Sequence, residues 1–69
     1  LAPVRTVFMR SLVATKALPA GHTVTDADMT AKKPGGGVDP RARAELIGRR
    51  LWRAKEQDEA FSWSDFEPV

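Results

Sequence analysis

A chain of 69 residues has room for one domain and buries only about 60% of the surface its unfolded form exposes, so a large catalytic cleft is excluded. It contains no cysteine, which excludes a disulfide framework and a thiolate metal site and leaves packing to hold the fold. Eleven basic and nine acidic residues give a net charge of +2, and the basic residues are scattered from Arg5 to Lys55 rather than gathered into a nucleic-acid-binding field.

The longest apolar runs are a few residues, far short of the roughly 20 that span a bilayer, and the N-terminal stretch lacks the apolar core of a signal peptide. The sequence begins Leu1-Ala2-Pro3 rather than with an initiator methionine, which reads as a processed product or, the favoured expectation, a piece cut from a longer protein. The expected organisation is a linker remnant at residues 1–9, a domain at 10–67 and a tail at 68–69.

In chain order, "SLVATKAL" at residues 11–18 mixes β-branched and apolar residues without helical periodicity and is expected to be extended. The next four residues, Leu18-Pro19-Ala20-Gly21, suit a tight turn with proline at its second position and glycine at its fourth. Thr25 before Asp26 and Asp28 is a helix start, because its hydroxyl satisfies a free backbone N–H and the acids sit at the positive end of the helix dipole. Only about one turn fits before "TAKKP" resumes extended character and stops at a proline.

Gly35, Gly36 and Gly37 form a connection without side chains. A phosphate-binding reading of this loop is weak, since the lysines precede the glycines and the Gly-Lys-Ser/Thr order is absent. Asp39 is expected to cap a helix with Pro40 in its first position, and "RARAELI" gives about two turns before Gly48 ends them. Ala42, Leu46 and Ile47 make its apolar stripe. In "GRRLWR", Arg49, Arg50 and Arg53 surround Trp52, a pattern that can hold single-stranded nucleic acid but better suits a strand of alternating charged and buried residues.

A shift of 37 positions lays the second half on the first: Lys16 falls on Arg53, Val24 on Phe61, Thr25 on Ser62, Asp28 on Asp65 and Met29 on Phe66. Both copies read as strand, turn, short strand and capped helical turn. Two such units related by a pseudo-two-fold and pinned by the helix at 40–47 would bury a core of Val13, Val24, Met29, Leu46, Ile47, Leu51, Phe61 and Phe66.

The stretches "VATKALPAGHTVTDADMTAKKPGGG", "ELIGRR" and "FSWSDFE" together resemble the antifreeze-like, or SAF, domain that closes the C-terminus of bacterial N-acylneuraminate (sialic acid) synthases. The resemblance covers residues 10–67, and "KKPGGG" after "DADMT" leans toward the synthase branch. It implies a mainly β, compact β-clip fold of short strands and short helical turns, with a pseudo-two-fold internal repeat.

The resemblance also implies a function. In such synthases a (β/α)8 barrel condenses phosphoenolpyruvate with an N-acyl hexosamine such as N-acetylmannosamine, using a divalent metal, Mn or Mg. The antifreeze-like domain of one protomer lies over the barrel mouth of its partner in a domain-swapped homodimer. A lid there excludes water and completes the site. An arginine near the start of the domain reaches the sugar, and its motif position is Arg10. The isolated domain is expected to be a non-catalytic accessory domain of a cytoplasmic bacterial transferase, with no cofactor of its own and no nucleic-acid or membrane partner. The motifs do not separate sialic from legionaminic or pseudaminic acid synthesis.

Two other functional classes compete with this reading. Ice binding, known for the same fold, asks for a flat, neutral and rather apolar face, against which Lys16, Arg49 and Arg50 count. The other is a SAF-type binding module of a different carbohydrate or nucleic-acid protein. His22, the single histidine, has Asp26 and Asp28 nearby as conceivable partners for base or metal chemistry, but suits a capping role better. Trp52 and Trp63 are expected at the edge of the core or at the interface with the barrel, rather than against a sugar ring.

Overall fold

A computed structural model describes residues 9–68 of the chain. The expected linker at 1–9 and tail at 68–69, apart from Met9 and Pro68, lie outside these residues. The unbroken run Ser11–Ala14 forms β1, buried along its whole length. It pairs antiparallel with β2, Met29–Lys32, in the register Ser11↔Lys32 to Ala14↔Met29. One turn of 3-10 helix at Asp26–Asp28 immediately precedes β2, behind the extended residue Thr25. The helix after the glycine loop starts as a 3-10 turn, Pro40–Ala42, and continues as α1, Arg43–Leu46. Asp39 caps it by accepting from the Arg41 amide at 2.8 Å, and proline occupies its first turn. A last 3-10 turn spans Trp63–Asp65. Among the described residues no helix is long and apolar enough to cross a membrane.

The hydrogen bonds carry the 37-residue repeat. Leu18 and Lys55, equivalent under that shift, exchange both backbone bonds, at 2.8 and 2.9 Å, so the pseudo-two-fold passes between them. The bond from Gly21 N–H to the Leu51 carbonyl is matched by the one from Asp58 N–H to the Ala14 carbonyl. That from Thr15 to Asp28 is matched by Trp52 to Asp65, and Val24 to Arg49 by Phe61 to Leu12. The bridge Leu51↔Phe66 repeats the pair Ala14↔Met29, and Thr23↔Arg50 repeats Val13↔Ala60. Each unit closes some backbone bonds within itself and shares others, such as the Leu18–Lys55 pair, with its counterpart, so the two interlock. The architecture is the mainly β, compact β-clip fold with an internal pseudo-two-fold.

The tight turn differs by one residue from the expectation. His22 N–H donates to the Pro19 carbonyl, which places Gly21 third rather than fourth, with the positive φ of +88° that this position requires in a type II turn. Its equivalent, Asp58, carries φ +67° in the turn closed by Glu59 N–H and the Glu56 carbonyl.

Leu12, Ala14, Leu18, Val24, Met29, Val38, Leu46, Leu51, Phe61 and Phe66 form the core. The Phe61 and Phe66 rings lie 5.8 Å apart, and Ala42 packs against the cluster from the helix. Ile47, expected in that core, is 44% exposed. The reason is local: α1 ends at Leu46, and Ile47 turns extended at ψ 127°, which swings its side chain off the helical stripe.

Candidate functional site

Arg10, the one residue proposed from sequence to meet a ligand, is exposed at the entry to β1. Its guanidinium makes no hydrogen bond or ion pair among the described residues. The adjacent Ser11 points the other way. It is 2% exposed, and its hydroxyl donates to the Pro34 carbonyl at 2.9 Å, fastening the start of the domain to the glycine loop. Arg10 thus leaves a backbone that is fixed on the domain side, with its charge directed outward.

Beside this entry lies a cleft of about 610 Å³, lined by Ser11, Val13, Lys32, Gly36, Asp58 and Ser62 among others. Its wall is set by a close backbone approach at Gly37, where a Cβ would stand 2.7 Å from the Phe61 carbonyl oxygen. Val38 N–H donates to that same carbonyl at 3.1 Å, so the glycine loop is drawn onto the second repeat. Lys32 and Asp58 face each other at 2.6 Å and neutralise one another at the rim. The glycine loop is the plain loop expected, joined to β2 through a cis Lys33–Pro34 peptide.

His22 has a structural place. Its Nε2 lies 2.7 Å from Asp28 Oδ2, which also accepts from the Thr25 amide at 2.8 Å and the Thr25 hydroxyl at 3.0 Å. Burial raises the Asp28 carboxyl, but the hydrogen bonds from His22 and Thr25 outweigh it and hold the group below the usual carboxylate range. Asp26, the other conceivable partner of His22, pairs with Arg43 at 2.9 Å instead. Among the described residues no group of three or more His, Asp or Glu side chains is placed to hold a metal ion.

The pseudo-equivalent position repeats the device with other cations. Asp65 accepts from the Ser62 amide at 2.8 Å and from Lys55 Nζ at 2.6 Å, with Arg53 at 3.4 Å. Both Asp65 and Lys55 are buried, so each is the other's main compensation. The sequence alignment placed Asp65 on Asp28, but a buried lysine was not foreseen. The signal was available, since the same shift sets Lys55 on the buried Leu18.

Trp52 and Trp63, expected at a core edge or interface, stand 55% and 47% exposed. Each ring carries a guanidinium, Arg53 over Trp52 at 5.2 Å and Arg49 over Trp63 at 5.5 Å. In "GRRLWR" only Leu51 is buried, so the expected alternation reduces to one inward residue between exposed neighbours.

Residues 9–67 match the family model described as the SAF domain. No curated protein matches the chain.

Proposed function

As the chain belongs to the SAF domain family, we propose that it is the non-catalytic accessory domain of an N-acylneuraminate synthase, a lid that brings Arg10 to the sugar substrate. The observation that carries this reading is the setting of Arg10: an exposed guanidinium without an internal partner, on a backbone anchored by the Ser11–Pro34 hydrogen bond. An arginine is always charged and offers several fixed donors, which suits it to a carbonyl or hydroxyl oxygen of an N-acyl hexosamine.

In this reading the parent's barrel holds the divalent metal and condenses phosphoenolpyruvate with the hexosamine. The domain of one protomer covers the barrel mouth of the other in a swapped homodimer. The domain itself supplies position and charge: Arg10 donates a charge-assisted hydrogen bond, and the surface around it excludes water from the closed site. The bacterial and cytoplasmic setting follows from the same reading.

The test is to express the full-length polypeptide that encodes this chain and assay condensation of phosphoenolpyruvate with N-acetylmannosamine in the presence of Mn or Mg. A (β/α)8 barrel upstream, with turnover that collapses when residues 10–67 are deleted, is the expected result. A parent without such a barrel, or a truncated barrel that keeps full activity, rejects the proposal.

A further inference from the structure

Three large apolar side chains of the second half stand in the open: Ile47, Trp52 and Trp63. The indole N–H of Trp52 donates to the carbonyl of Ser64, the chain neighbour of Trp63, which holds the Trp52 indole in orientation beside the last 3-10 turn. Ile47 shares a groove of about 460 Å³ with Glu45 and Arg49, and the Arg49 guanidinium continues from that groove onto the Trp63 ring.

The charges around this face are unequally answered. Arg50 pairs with Glu67 at 3.3 Å, and Arg53 pairs with Asp65 at 3.4 Å. Arg49, in contrast, donates only to the backbone carbonyl of Glu45, at 3.0 Å. The Glu45 carboxylate has no ion pair or hydrogen bond among the described residues. One cation and one anion, neither matched by an opposite charge, therefore flank the same apolar surface.

We propose that this face binds a second copy of the chain about a two-fold axis, with Arg49 of each copy paired to Glu45 of the other across buried Ile47 and Trp63. A closed two-fold contact must be self-complementary, and one unanswered charge of each sign beside a shared apolar patch meets that condition. A nucleic acid would answer Arg49 but set its phosphates against Glu45 and Glu67. A surface with a tryptophan already held in place, rimmed by satisfied ion pairs, also has the anatomy of a protein–protein contact.

The area sets the strength. A tryptophan carries roughly 150–250 Å², and about half of each indole is on offer, so the contact belongs to the smallest class of specific interfaces. Association is weak between free chains and becomes appreciable where two copies are held near each other.

Sedimentation velocity over about 10 μM to 1 mM, a span chosen for the weak end of the affinity scale, tests the proposal. Tryptophan emission provides a second readout, because Trp63 lies in the proposed contact and the chain has no tyrosine. The expected result is a concentration-dependent dimer whose formation shifts the emission to the blue. Glu45→Arg or Arg49→Glu alone should weaken it at least about tenfold by setting like charges opposite one another. The chain carrying both substitutions should dimerise again, while Trp63→Ser should not, with melting temperatures confirming that each variant is folded. A monomer at every concentration, or a double variant as weak as the single ones, overturns the proposal. So does a monomer whose emission responds to an oligonucleotide or an acidic peptide.

Discussion

Replacing Asp65 by alanine strands a buried lysine. Lys55 and Asp65 are 4% and 1% exposed, and their 2.6 Å contact is the main compensation for taking Nζ out of water. Removing one partner of such a pair costs about 3–5 kcal/mol. The Ser62 amide loses its acceptor in the same step, while Glu59, 3.1 Å from the same Nζ, keeps one carboxylate beside the lysine. These opposing effects place the expected loss near 3 kcal/mol.

A domain of this size has about 3–10 kcal/mol of stability in total, so the variant should sit close to unfolding, with a melting temperature about 12–24 °C lower. Urea denaturation of Asp65→Ala, of Lys55→Leu and of the double variant measures this. The double variant places leucine where the other repeat has Leu18, removes the unpaired charge, and should recover at least about half of the loss. If Asp65→Ala costs less than about 1 kcal/mol, or if the double variant is no better than Asp65→Ala, the pair is not what compensates the buried lysine.

Gly37→Ala should cost about 1–3 kcal/mol in the same assay, because its Cβ meets backbone oxygen at 2.7 Å. Gly48→Ala, which meets nothing within 4 Å, should cost only the about 1–2 kcal/mol of its positive φ. Acid should weaken the fold through Asp28. Its folded carboxyl lies below the ordinary value of 3.8, so its contribution is present above that value and is lost as pH falls through the lower folded one. Thermal melts of the native chain and Asp28→Asn should therefore converge as pH drops from about 4 toward 2, and a constant gap contradicts the assignment.

The repeat was legible because backbone geometry imposes it on residue class: a polar cap, an acid three positions on and an apolar residue after it recur at Thr25, Asp28, Met29 and at Ser62, Asp65, Phe66. What escaped was set by contacts distant in sequence. Val38 follows three glycines and looks like loop, yet it is buried because its amide and carbonyl bridge Phe61 and Leu12. Lysine chemistry argues for solvent at position 55, and it is chiefly the buried Asp65, ten residues on, with Glu59 beside it, that reverses this. Ile47 had the right helical spacing but lies one residue past the helix end. Arg10 rests on its motif position, to which the structure adds exposure and an anchored neighbour.

The steady-state kinetics of Arg10→Ala in the full-length polypeptide, proposed above to be a synthase, test the central proposal most directly. A charge-assisted hydrogen bond of roughly 1.5–3 kcal/mol converts to about a 10- to 150-fold fall in kcat/KM for the N-acyl hexosamine. The dependence on phosphoenolpyruvate should stay close to wild type, and the melting temperature should hardly move, since an exposed charge without a partner contributes little to the fold. Equal losses for both substrates, or a loss of stability large enough to account for the fall in activity, would mean that Arg10 seats the domain and does not touch the sugar.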